Sequence, residues 1–142
     1  MSSSKLKILK KHISVACAVI EADGLVLAAQ RSVTMSMPLK WEFPGGKIHD
    51  GETSEGCLVR ELLEELNVTV TVRRPLKPVT YEYADFSVTL HPFVCAITEG
   101  EITLREHKAI KWLAPGELPS LDWAEADFPV VSEYLSLSEG RR

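Results

Sequence analysis

The stretch GGKIHDGETSEGCLVRELLEELNVTV, residues 45–70, constrains the chain more than any other. It crowds Glu61, Glu64 and Glu65 onto little more than one helical turn, directly after a glycine-rich loop. Like charges at helical spacing repel by a few tenths of a kcal/mol per pair. Such a cluster needs a compensating cation or a well-solvated face. Thr53 or Ser54 is a good N-cap, so the spacing predicts a helix from there to about Leu66. On a helical wheel, Leu58, Val59, Leu62, Leu63 and Leu66 share one arc, and the three glutamates fill the arc beside it. One face is expected to dock on the protein and the next to present carboxylates. Arg60 lies beyond them, placed to reach back to Glu52 and hold the loop against the helix.

An acidic surface helix is usually just solvated, but the preceding loop argues for more. Gly45 and Gly46 allow close backbone approach, and their carbonyls can join the carboxylates. Ligands that are all oxygen suit hard cations such as Mg²⁺, with Mn²⁺ as the alternative.

The flanking segments read as a mixed α/β domain. ISVACAVI (13–20) is a buried strand, EADG a hairpin turn, and LVLAAQR (25–31) the partner strand. Pro44-Gly45-Gly46 reads as a break in regular structure. VTVTVRR (68–74) alternates as a strand, and residues 79–98 read as two strands with a turn near Ala84-Asp85. A short strand and turn occupy 110–118. ADFPVVSEYLSL (126–137) reads as a last helix, with Pro129 in its first turn and Val130, Val131, Tyr134 and Leu135 on one face. The expected fold class is α/β (α+β), a curved mixed β-sheet sandwiched between helices, in one domain covering 1–142.

The composition narrows the function. A net charge of −4 over 142 residues argues against a nucleic-acid polymer as partner. Cys17, Cys57 and Cys95 form no CxxC pair, so free thiols in a reducing, cytoplasmic setting are expected. No signal peptide and no membrane span of about 20 apolar residues is legible. His12, His49, His91 and His107 lack metal-ligand spacing and read as structural or surface residues. Trp41, Tyr81, Tyr83 and Phe86 are candidates to stack on a base, with core packing the commoner fate.

Residues 46–68 resemble the Nudix box, GX5EX7REUXEEXGU with U aliphatic. Gly46, Glu52, Arg60-Glu61, Leu62, Glu64-Glu65 and Val68 fall on its fixed positions. Asn67 replaces the last glycine, a mild departure because asparagine tolerates the left-handed conformation of a helix C-cap. KWEFPGGKI, EHKAIKWL and ADFPVV are similar to the MutT branch, the nucleoside triphosphate pyrophosphohydrolases. The resemblance implies a Nudix fold and attack by water on the β-phosphorus, giving nucleoside monophosphate and pyrophosphate. It implies Glu61, Glu64, Glu65 and a carbonyl of Gly45 or Gly46 as metal ligands, with Glu61 or Glu65 as the base.

Glu106 is a candidate further ligand or base. Arg31 and Lys47 are candidate phosphate contacts. Asp127 stands where the MutT pattern has a base-reading asparagine. Ionised aspartate only accepts hydrogen bonds, so it favours the amino groups of cytosine or adenine over the O6 of guanine, unless it is protonated, pairs with guanine's N1–H or N2–H, or merely caps the last helix. The expected partner is a small-molecule nucleoside triphosphate, bound by a monomer or homodimer. The alternatives are hydrolysis of ADP-ribose or a nucleotide sugar, or a catalytically silent nucleotide-binding domain.

Overall fold

The computed structural model describes residues 10–140, so the basic start of the chain lies outside the described residues. The architecture is the expected one, a curved mixed sheet between two α-helices. The central strand is β1 (Lys11–Ala22), and its alternating residues face opposite sides. Cys17 and Val19 enter one core, whereas Ala16, Ala18 and Ile20 enter the other. Strand β2 (Leu25–Gln30) returns through a hairpin in which Asp23 and Gly24 both take positive φ, as a tight two-residue turn requires. The short strand β3 (Trp41–Glu42) pairs with β2.

Strand β4 (Gly45–Lys47) corrects the reading of Pro44-Gly45-Gly46 as a break, because it pairs antiparallel with Val15–Cys17 of β1. The glycines make the strand possible. A Cβ on Gly45 would overlap the Ala16 carbonyl oxygen, so only a bare backbone can approach β1 this closely.

Helix α1 (Ser54–Leu66) follows. Thr53 caps it by accepting the Gly56 N–H at 3.0 Å, and Asn67 closes it in the left-handed region at φ 62°. Leu58, Leu62 and Leu66 are fully buried against the β1 face. Each contributes roughly 1.5–3 kcal/mol by leaving water. Cys57 joins them, whereas Leu63, expected inside, is half exposed. The docked arc is therefore rotated towards Cys57.

Strands β5 (Thr69–Pro75) and β6 (Val79–Glu82) both pair with β7 (Phe86–Glu99), which runs parallel to β1. Strand β8 (Ala109–Leu113) pairs with β2 and leads into a 3₁₀ turn over Pro115–Ser120. Helix α2 (Phe128–Gly140) covers the second face through Val130, Val131 and Tyr134. Among the described residues no helix is long and apolar enough to cross a membrane.

Candidate active site

Packing α1 against β4 brings the glutamate arc to the glycine strand. Gly46 lies so close to Glu61 that a Cβ there would overlap its carboxyl group. The compensating cation comes from the helix itself. Arg60 grips Glu52 with two bonds, Nε to Oε2 at 2.6 Å and Nη2 to Oε1 at 3.0 Å. It also donates to Glu61 at 2.9 Å and Glu64 at 3.3 Å. Glu52 accepts the His49 N–H as well, which closes the 48–53 loop. The Arg60 guanidinium, helped by that N–H, pulls the Glu52 carboxyl down to about 2. The predicted link from Arg60 to the loop is thus present, and it reaches the glutamate arc too.

Glu65 stands apart from this clamp. Burial, then the charge of Glu61, holds its carboxyl well above the usual carboxylate range; Glu42 and Glu106 add to the effect. Its Oε1 is buried without a hydrogen-bond partner among the described residues. A cation beside it would satisfy that oxygen and reverse the local repulsion. The donor set, all carboxylate and carbonyl oxygen, fits a hard divalent ion. No three of the described His, Cys, Asp and Glu side chains form a cage by themselves. Carbonyls, waters and phosphate oxygens would have to complete the shell, as magnesium usually requires. Glu106 is exposed on the loop before β8, near enough to Glu65 to act on its charge.

From these groups a cleft of about 340 Å³ runs to Asp127. Gly45, Gly46, Lys47 and Glu65 line one end; Tyr83, Phe86, Met35 and Met37 form walls towards the other. Tyr83 and Phe86 stack on one another at 4.8 Å. Of the four aromatic candidates, these two line the cleft, while Trp41 lies under Lys111 at 5.7 Å and Tyr81 faces a different groove. That second groove, about 720 Å³ between β6 and α2, is larger, but its lining holds none of the clustered carboxylates.

Asp127 does not use its carboxylate as a helix cap. Its backbone carbonyl accepts from Val130 and Val131, but its Oδ2 accepts the Phe43 N–H at 2.9 Å across the cleft floor. Burial, then the charge of Glu42, pushes its carboxyl up to about 8. The shift favours the protonated acid, which has one donor and free acceptor capacity, the exception that the sequence reading left open.

Arg31 lines the cleft with its guanidinium committed: Nη1 to Glu42 at 2.6 Å, Nε to the Ser36 carbonyl at 2.6 Å, and Nη2 to the Ser36 hydroxyl at 2.9 Å. Lys47 is exposed at the cleft rim. Sequence reasoning missed Glu42. It lines the same cleft as Gly45 and Asp127, held by Arg31 and, at 2.7 Å, by the buried His107. The available signal was an acidic residue between Trp41 and Phe43 in an otherwise apolar run. His107 is accordingly a buried partner of the cleft.

A carboxylate arc braced by an internal arginine thus lies beside a glycine strand and an aromatic-walled slot. Comparison with known proteins gives the family. The NUDIX domain matches residues 10–134. The chain is 34% identical over 131 residues to a CTP pyrophosphohydrolase of Escherichia coli, covering 92% of this chain and 97% of that one. It is 32% identical over 128 residues to an 8-oxo-dGTP diphosphatase of E. coli, covering 89% and 99%. The solution structure of the E. coli ORF135 protein superposes with a TM-score of 0.81 at 34% identity, covering 93% of this chain and 94% of that one. The chain belongs to the NUDIX domain family and is a Nudix hydrolase.

Proposed function

We propose that this enzyme is a Mg²⁺-dependent pyrophosphohydrolase of (deoxy)nucleoside triphosphates, releasing nucleoside monophosphate and pyrophosphate by attack of water on the β-phosphorus. The observation that carries the reading is that Glu61 packs against Gly46, while Gly46, Glu65 and Asp127 line one cleft. A base at Asp127 and a polyphosphate at the glutamates is a natural way for one nucleotide to occupy both ends. Two relatives carry names that support the substrate class, CTP pyrophosphohydrolase and 8-oxo-dGTP diphosphatase.

In this reading Glu61, Glu64, Glu65 and a carbonyl of Gly45 or Gly46 hold the metal, with Glu106 as a further ligand from its loop. Mg²⁺ bound there would neutralise the polyphosphate and make water more nucleophilic. Glu61 or Glu65 accepts the proton of the attacking water, a role suited to a carboxylate whose environment raises its basicity. Arg60 keeps Glu52, Glu61 and Glu64 in register. Lys47 faces the phosphates, and Arg31 meets them only by giving up part of its bonding to Glu42 and Ser36.

At the base end, Asp127 accepts from Phe43 and lines the slot. Its proton decides the preference. The neutral acid can serve a base carrying an acceptor, such as an oxidised guanine. The anion favours the amino groups of cytosine or adenine. The test is a panel of canonical and modified nucleotides with Mg²⁺, with products identified. Pyrophosphate and monophosphate from triphosphates support the reading. Turnover confined to ADP-ribose or nucleotide sugars, or none at all, overturns it.

A further inference from the structure

We propose that Arg105 is a positioning residue that clips the loop carrying Glu106 to the C-terminal end of α1, and that Asn67, standing where the Nudix box has its last glycine, supplies the side chain that the clip needs. The inference rests on the reading of Glu106 as a metal ligand and goes beyond it, because it says what holds that ligand in place. The end of an α-helix leaves its last carbonyls without helical partners. In α1 the Leu63 carbonyl accepts the Asn67 N–H at 3.1 Å, and the Leu66 carbonyl accepts the Thr103 N–H at 2.9 Å. The Glu64 carbonyl accepts Arg105 Nη1 at 3.1 Å, and Arg105 Nη2 donates to Asn67 Oδ1 at 3.2 Å. A cation at a helix C-terminus is favoured by the helix dipole as well. Gly100, at φ 91°, lets the loop come this close, since a Cβ there would lie 2.6 Å from the Asn67 carbonyl oxygen.

The far side of the loop is tied to other elements. His107 Nε2 lies 2.7 Å from Glu42 Oε2 on β3, and the Lys108 N–H donates to the Gln30 carbonyl of β2 at 2.9 Å. Glu106 therefore stands between an anchor on α1 just before it and anchors on β3 and β2 just after it. Its own side chain is exposed and makes no hydrogen bond or ion pair among the described residues, so its neighbours set its position. Its charge acts on Glu65. Glu64 and Glu65 lie on the last turn of α1, the turn that Arg105 grips. The clip thus ties Glu106 to the same stretch of helix that carries its partner carboxylates. A glycine at position 67 would keep the left-handed cap but would leave Arg105 one acceptor where it now has two.

The experiment compares wild type, Asn67→Gly, Arg105→Ala, Glu106→Gln and the double variant Arg105→Ala/Glu106→Gln. Mn²⁺ affinity is read by electron paramagnetic resonance, kcat/KM on a nucleoside triphosphate with Mg²⁺, and exchange of the Thr103 N–H by NMR on the metal-free protein. Arg105→Ala should weaken Mn²⁺ binding and lower kcat/KM by about 3- to 10-fold, the range of lost hydrogen bonds, with faster Thr103 exchange and a wild-type circular dichroism spectrum. Asn67→Gly should move the same three readouts part of the way. In the Glu106→Gln background the arginine change should add almost nothing to either loss, because a positioning residue has no effect once the group it positions is gone. Losses that multiply in the double variant would make Arg105 a plain helix cap and overturn the inference. Wild-type Mn²⁺ affinity or Thr103 exchange in Arg105→Ala overturns it too, and wild-type behaviour of Asn67→Gly removes the asparagine from the clip. Failure of the underlying reading looks different: Glu106→Gln alone would bind Mn²⁺ and turn over like wild type.

Discussion

Replacing Asp127 by asparagine should make the stability of the enzyme less dependent on pH. In the folded chain the Asp127 carboxyl is pushed up to about 8, chiefly by burial. In the unfolded chain an aspartate ionises near 3.9. Between those values the native state holds a proton that the unfolded state has released. Wild-type stability therefore has this contribution in full below about pH 4 and loses it as pH rises towards 8. At 1.36 kcal/mol per unit, the loss between pH 5 and pH 8 is about 4 kcal/mol as an upper limit.

Asparagine has no proton to lose, and its carbonyl oxygen can still accept the Phe43 N–H. Urea unfolding of both proteins at pH 5 and pH 8 isolates the effect, because every other titrating group cancels in the difference. The stability gap should move in favour of Asp127→Asn by roughly 1–4 kcal/mol on going from pH 5 to pH 8. The same proton should govern base preference. The ionised fraction of Asp127 rises from about a tenth at pH 7 to about nine tenths at pH 9. Wild-type kcat/KM for cytosine or adenine nucleotides, relative to 8-oxoguanine nucleotides, should rise by up to about 100-fold over that range, because the ionised form grows about ten-fold while the protonated form falls about ten-fold, and the asparagine variant should show a flat ratio. A stability gap that does not change with pH would show that Asp127 is ionised in the native state and would refute the proton-linked preference.

The metal reading predicts that Glu64→Gln or Glu65→Gln lowers turnover at least about 10²-fold while the fold survives; near-normal turnover of both at low Mg²⁺ would rule it out. Gly46→Ala places a methyl group where the Glu61 carboxyl lies, so Glu61 must turn away. Turnover should fall about 10²-fold, with a far-ultraviolet circular dichroism spectrum like that of wild type, and full activity would show that Glu61 is not held there. Hydrolysis in ¹⁸O-water should label pyrophosphate, as attack on the β-phosphorus requires, and label in the monophosphate would mean attack on the α-phosphorus.

What the sequence revealed depended on how local the determinants are. The Thr53 cap, the left-handed Asn67 and the Arg60–Glu52 pair each involve residues no more than eight apart. Their geometry follows from helical spacing and turn chemistry. The exposed Leu63 shows where a wheel fails. The choice between Cys57 and Leu63 for the docked edge depends on how the helix is tilted against β1, which no local rule sets. The cleft is less local still. His107 meets Glu42 across 65 positions, and Asp127 meets Phe43 across 84. The ionisation of Asp127 follows from that burial, so its residue type alone could not reveal whether it accepts or donates.

The run from Glu42 to Lys47 explains how two such different ends are kept at a working distance. Phe43 stacks on Trp123 at 4.7 Å in the core beneath α2, while its N–H holds Asp127. Pro44 accepts the Ala18 N–H at 2.9 Å, which fastens the same run to β1. Gly45 and Gly46 then pair with β1, and Gly46 meets Glu61 of α1. The base end is thus anchored to one core and the carboxylate end to the other, with a paired strand between them instead of a free loop. A paired strand fixes register in steps of one residue. Inserting or deleting a residue there would move Phe43 relative to Gly46 and uncouple the Asp127 end from the glutamates, even with every functional side chain retained. The methionine wall of the slot lies outside the paired strands. Met35 and Met37 come from the segment between β2 and β3, so changes there can alter which base is accepted without disturbing the carboxylates.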